Sequence, residues 1–239
     1  MAAMRTYLTR HLLPAFGRKR LVSFTPRLID AWLIDLYEAG GLAPTTINHV
    51  LRCLKIMMKE ALRLGYVAAN PAAPVRELKE ERREKSVLDA TEVRALLGGS
   101  ALPGVWTGDV RHYAINLLAA STGMRMGECQ GLQVQHVHDD HVAVVHSWAR
   151  QHGLKEPKWK NGRLIPIPAR TSVSLRSVIE NLDSPAPNDL VFRGSSAQRP
   201  IDHKRIGTML YRAMENIGIN EVERRTRNVS FHSWRHWFN

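Results

Sequence analysis

Cysteine is scarce in these 239 residues: Cys53 and Cys129 are the two, each inside a helix-like apolar pattern with no second cysteine nearby. That count excludes a disulfide framework and a zinc knuckle, and it points to a reducing compartment. No stretch approaches the roughly 18 apolar residues of a membrane span. The N-terminus lacks the unbroken apolar run of a secretory signal, being interrupted by Arg5, Arg10 and His11. The expectation is a soluble, cytoplasmic protein with no membrane partner. A Walker-type glycine loop, a GxGxxG after a strand and an HExxH helix are all missing. Acidic residues are few as well: 22 Asp and Glu stand against 34 Lys and Arg, for a net charge of +12. An excess of that size favours a polyanionic partner, of which nucleic acid is the commonest.

What is present falls into two parts. Residues 1–75 read as all helix. Thr25-Pro26 starts one helix, with Leu28, Trp32, Leu33 and Leu36 at helical spacing and Gly40-Gly41 as its stop. Pro44-Thr45-Thr46 starts a second, whose apolar stripe is Ile47, Val50, Leu51, Leu54, Met58, Ala61 and Leu62; Gly65 and Asn70-Pro71 close it. Its other face carries Arg52, Lys55, Lys59 and Arg63 as one basic stripe, with Thr45 and Asn48 nearby. Such a stripe is either a solvated face or a phosphate-binding one. Residues 76–86 are almost all charged and read as a linker. From 87 to 239 the element types mix. Asp89-x-x-Glu92 reads as a capping box opening a short helix through Leu97, and residues 110–122 as a helix ended by Gly123. Val134 to Trp148 holds two short strand-like runs around a His138-Asp139-Asp140-His141 turn. Arg163 to Pro168 reads as a third strand; residues 171–181, 202–217 and the start at Phe231 return to helical spacing. The fold class expected is mainly α with a small β-sheet, α+β.

The histidines His136, His138, His141 and His146 cluster in sequence, but on a strand-turn-strand with no cysteine and no ligand spacing, so no metal or other cofactor is expected. His232 and His236 enclose Arg235, a cation that suits an anionic ligand better than a metal. Three cationic elements share that preference. In Thr122-Gly123-Met124-Arg125-Met126-Gly127-Glu128, Arg125 opens a helix where a phosphate is held by the guanidinium fork and the helix dipole, and Glu128 lies one turn on to orient it. In Pro157-Lys158-Trp159-Lys160-Asn161-Gly162-Arg163, a lysine precedes a strand, placed to deliver a proton. In His232-Ser233-Trp234-Arg235-His236, His232 and Arg235 share one helical face.

These phrases, in this order after a small helical domain, resemble the tyrosine recombinase (phage integrase) family. Tyr7 to Pro71 is similar to its core-binding, SAM-like domain, and Ser86 to Asn239 looks like most of its catalytic domain, C-terminally incomplete. TGMRMGEC matches the first-arginine box, PKWKNGRLIPIP the β-hairpin lysine segment and HSWRH the HxxR box. The resemblance implies catalytic roles for Arg125, Lys158, His232 and Arg235, with Lys160 as the alternative lysine and Glu128 and His236 as accessories. It implies that the arginines grip the scissile phosphate without a metal, the lysine protonates the departing 5′ oxygen, and a tyrosine forms a 3′-phosphotyrosine link. It also implies double-stranded DNA as partner, with Thr45, Asn48, Arg52, Lys55, Lys59 and Arg63 facing it.

The departure from the family is the nucleophile. The tyrosines are Tyr7, Tyr37, Tyr66, Tyr113 and Tyr211, all before His232, and four residues follow Arg235. The reading is a truncated recombinase that binds DNA without cleaving it. The alternative is a non-catalytic DNA-binding protein, from a decayed or shortened integrase, that occupies or regulates recombination sites. Full-length relatives form homotetramers on DNA through C-terminal segments, so a monomer is the expectation for this chain.

Overall fold

The computed structural model describes residues 2–80, 87–99, 104–156 and 162–239. The chain divides into two compact units, Met1–Arg83 and Glu84–Asn239, each with its own apolar core.

Unit 1 is helical. α1 (Ala2–Tyr7) runs through a π-helical stretch, Leu8–Leu12, into α2 (Leu13–Phe16). α3 (Pro26–Glu38) starts where expected: the Thr25 side chain accepts from the Leu28 amide, and Pro26 occupies the first helical position. Its buried residues are Ile29 and Leu33, with Leu28, Trp32 and Leu36 packed at the core's edge. α4 (Pro44–Arg63) buries Ile47, Val50, Leu51, Leu54, Met58 and Ala61, whereas Leu62 is exposed. The π stretch was not legible beforehand. The charged stretch after Val75 is no free linker at its start: through Glu80 it lies along α4, held by Asn48, whose amide donates to the Leu78 carbonyl (3.0 Å) and Glu80 (2.8 Å) while its oxygen accepts from the Leu78 amide (2.9 Å). The rest of that stretch, residues 81–86, lies outside the described residues.

In unit 2, α5 (Ala90–Leu97) carries the expected capping box: Asp89 accepts from Thr91 and Glu92 amides, and Glu92 from the Asp89 amide. α6 (Val110–Thr122) is buried nearly all round, including Ile115, Leu118 and Ala119, so it is the axis of the unit. α7 (Met126–Gln130) follows at once. β1 (His141–Val144) pairs antiparallel with β4 (Arg163–Pro166), and β2 (Ser147–Ala149) with β3 (Gly153–Lys155). The His138–His141 turn forms, but the run before it, Val134–His136, is a single 3₁₀ turn. α8 (Ala169–Glu180) packs on α6. A hairpin not foreseen, β5 (Arg193–Ser196) with β6 (Arg199–Pro200), precedes α9 (His203–Asn216). α10 (Glu221–Thr226) and α11 (Ser233–Phe238) end the chain, and α11 packs against α6. Among the described residues no helix is long and apolar enough to cross a membrane.

Candidate functional site

The end of α6 sets the geometry. Gly123 turns left-handed (φ 62°, ψ 16°), a conformation costly for any residue with a Cβ. A Cβ here would also stand 2.7 Å from Phe238 Cδ1 of α11. The turn releases Arg125 in extended conformation at the N-cap of α7. Glu128, 2% exposed, then collects four donors. The Arg125 amide donates at 2.9 Å and its guanidinium at 3.1 Å; Arg163, the first residue of β4, donates at 2.8 and 3.3 Å. Burial pushes the Glu128 carboxyl up, but the hydrogen bonds from Arg163 and the Arg125 backbone outweigh it and hold the group below its ordinary value. The Arg125 guanidinium is therefore tethered through one nitrogen while the side chain stays 39% exposed, leaving donors for an anion.

Arg235 reaches the same turn from the other end of the sequence. Its guanidinium donates to the Gly123 carbonyl at 2.8 Å. α11 is fixed there by Trp234, which is 1% exposed and donates through Nε1 to the Asn116 side chain of α6 at 2.8 Å. His232 precedes α11 on the exposed side, its ring 5.1 Å from that of His236 and edge-on to it. His232 also lines a cavity of about 550 Å³ with Met124, Met126, Lys204, Tyr211 and Phe231. Tyr211 is half-buried there, with the Arg224 guanidinium 3.7 Å over its ring.

Arg125, Glu128, His232, Arg235 and His236 thus gather around one end of α6. Lys158 and Lys160 lie outside the described residues. The candidates of unit 1 fare differently. Asn48, expected to reach DNA, is buried with its amide committed to the Leu78–Glu80 segment, because a buried amide must spend its hydrogen bonds internally. Arg52 pairs with Glu77 at 2.5 Å, Arg63 with Glu60 at 2.5 Å, and Lys55 donates to the Val75 carbonyl at 2.7 Å. Thr45 and Lys59 remain exposed. Arg163 was overlooked as a site residue. It stands in the quoted lysine segment, but nothing in its spacing from Glu128 in sequence announces their contact.

The phage integrase family model matches residues 86–239. Tyrosine recombinase XerC of Halalkalibacterium halodurans is 26% identical over 245 residues, covering 98% of this chain and 72% of that protein. An integrase of transposon Tn1549, solved in complex with a circular intermediate DNA, superposes with a TM-score of 0.77 at 20% identity, covering 99% of this chain and 85% of that one. A lambda integrase dimer bound to a COC′ core site gives a TM-score of 0.66 at 16% identity, over 98% and 80%. With its arginine, glutamate and histidine boxes gathered at one turn and a family match over most of its length, the chain belongs to the phage integrase family of tyrosine recombinases.

Proposed function

We infer that these 239 residues form the DNA-binding and phosphate-activating part of a site-specific recombinase. Arg125 and Arg235 hold the non-bridging oxygens of one DNA phosphate and stabilise the charge that develops there during strand exchange. Glu128 orients Arg125, His232 assists proton transfer with His236 beside it, and Lys158, or alternatively Lys160, protonates the leaving 5′ oxygen. Unit 1 acts as the core-binding domain, with Lys59 and Thr45 exposed to meet the duplex and Arg52, Lys55 and Arg63 exchanging their internal partners for phosphates. The observation that carries the reading is the Gly123 turn, where Arg235 is held on the carbonyl two residues before Arg125. The similar structures solved with DNA support the partner.

No tyrosine follows His232 in these residues, so the segment by itself binds DNA and does not cut it. Incubation with a nicked suicide duplex, followed by denaturing electrophoresis, is expected to show no covalent adduct, while gel shift shows salt-sensitive binding that weakens at least tenfold in Arg125→Gln/Arg235→Gln. An adduct would identify a nucleophile among the tyrosines present, with Tyr211 first in line, and overturn the non-cleaving assignment. Unchanged binding by the double variant would remove the two arginines from the phosphate seat.

A further inference from the structure

α10 buries none of its side chains, and its one large apolar residue, Val222, is exposed. Six residues without an apolar anchor do not hold a helix in place. Two cations hold this one instead. Arg224 lies 3.7 Å over the Tyr211 ring of α9. Arg227, the C-cap of α10, donates from two nitrogens to both carboxylate oxygens of Glu92 in α5, at 2.6 and 2.7 Å, and to Glu223 at 2.9 Å. It also donates to the Val87 carbonyl at 3.4 Å. The Arg227 and Glu92 side chains are 22% and 17% exposed, whereas Arg225 and Glu221 of the same helix pair out in solvent. A solvated pair contributes little; a forked pair shielded from water fixes geometry. Hydrogen bonds from Arg227 hold the Glu92 carboxyl below its ordinary value against the cost of burial. Glu92 is itself held, because it closes the capping box of α5 on the Asp89 amide.

This clamp stands at the entry to the His232 box. The residue after Arg227, Asn228, turns left-handed (φ 53°), a conformation that asparagine tolerates better than most side chains. The Val229 amide then donates to the Arg224 carbonyl at 3.0 Å, and Val229 and Phe231 enter the core. One turn joins them to α11: the Ser230 amide donates to the Ser233 hydroxyl at 3.1 Å, and the Ser233 amide to the Ser230 carbonyl at 2.9 Å. His232 sits inside that turn. Its place is therefore set from two sides, by Trp234 and Asn116 downstream and by Arg227 and Glu92 upstream. Glu92 and Arg227 lie outside the three cationic boxes and too far apart in sequence to form a motif. We propose that Arg227, forked onto Glu92, is a positioning residue that sets His232 and Arg235 toward the phosphate on Arg125. The assignment rests on the proposed function for that phosphate.

The test is duplex affinity of the full chain, measured by fluorescence anisotropy at fixed salt. Glu92→Gln supplies the sign. Removing a negative charge strengthens DNA binding through electrostatics alone, and glutamine still serves the capping box. Loss of the clamp acts the other way, and the expected result is affinity weakened about fivefold, within the range for residues coupled through one hydrogen-bond network. Arg227→Lys keeps the charge but gives up the fork, and is expected to lose about as much; it gives the reading should Glu92→Gln not fold. In a His232→Gln/Arg235→Gln background either substitution is expected to cost less than about twofold, since nothing is left to position. Tighter binding in Glu92→Gln overturns the proposal. So does wild-type affinity in Arg227→Lys beside a loss in Arg227→Gln, which would make Arg227 a direct phosphate contact. An undiminished loss in the double-variant background assigns the pair to general stability and overturns it too. Duplex affinity untouched by His232→Gln/Arg235→Gln itself overturns the proposed function instead, and this assignment with it.

Discussion

Glu128 shows how a charged residue survives burial. A carboxylate removed from water is strongly disfavoured unless its charge and lone pairs are met. Here two guanidiniums and a backbone amide meet them. The same contacts that stabilise Glu128 also aim Arg125, so the partners the buried carboxylate requires fix the direction of that side chain. Because the folded carboxyl is held below its ordinary value, its stabilisation is fully present above the unfolded value, near 4.3, and is lost as pH falls through the folded one. Glu128→Gln is expected to cost about 2 kcal/mol at pH 7, the scale of charge-assisted hydrogen bonds, and to flatten the acid limb of stability against pH. Urea denaturation at a series of pH values checks both; a limb as steep as wild type's would place the acid sensitivity elsewhere. His112 acts with the same sign: burial, opposed by Asp109, lowers its pKa, so its protonation on acidification also favours the unfolded chain.

At the scale of elements, α11 is six residues long, too short to hold its shape alone. Its position comes from packing on α6, and one contact dominates: Trp234 fills the core and ties its indole N–H to Asn116, whose own amide donates to the His112 carbonyl at 2.8 Å. Arg235, the next residue, takes its direction from that anchor. Trp234→Phe keeps most of the apolar volume but leaves the buried Asn116 oxygen unpaired. The expected loss is ~2 kcal/mol, within the usual range for a buried orphan acceptor, with duplex affinity reduced as Arg235 drifts from the Gly123 carbonyl. Thermal denaturation and anisotropy measure the two effects. Full affinity in a destabilised variant would show that Trp234 serves packing alone.

For the whole molecule, two cores mean two separate sources of stability. In unit 1 the polar centre is Asn48, which fastens the chain leaving that unit against α4. Asn48→Ala removes all three bonds. Amide exchange at Leu78 should speed up by at least tenfold and unit 1 should lose ~2 kcal/mol, about that expected for a buried amide network left unpaired, while exchange in α6 stays as slow as in wild type. Faster exchange in both units would mean that the segment stabilises the entire chain.

Much of this protein was legible in one dimension. The helix starts at Thr25-Pro26, Pro44 and Asp89, the stop at Gly123 and the arginine and histidine boxes depend on neighbours a few residues apart, where capping, φ preferences and side-chain periodicity act. The short strands and the β5–β6 hairpin were harder, because runs of two to four residues carry too little pattern to be told from loops. Two decisions belonged to the tertiary structure alone. It turned Asn48 from a candidate DNA contact into a buried clamp, since burial is set by what packs on a helix face and not by the helix's own sequence. It also brought Arg163 to Glu128 and gathered Arg111, Arg150, Arg199 and Arg205 around one groove. Charge interactions act through space over distances that sequence separation does not record, so the excess of positive charge was plain from composition, and its placement was not.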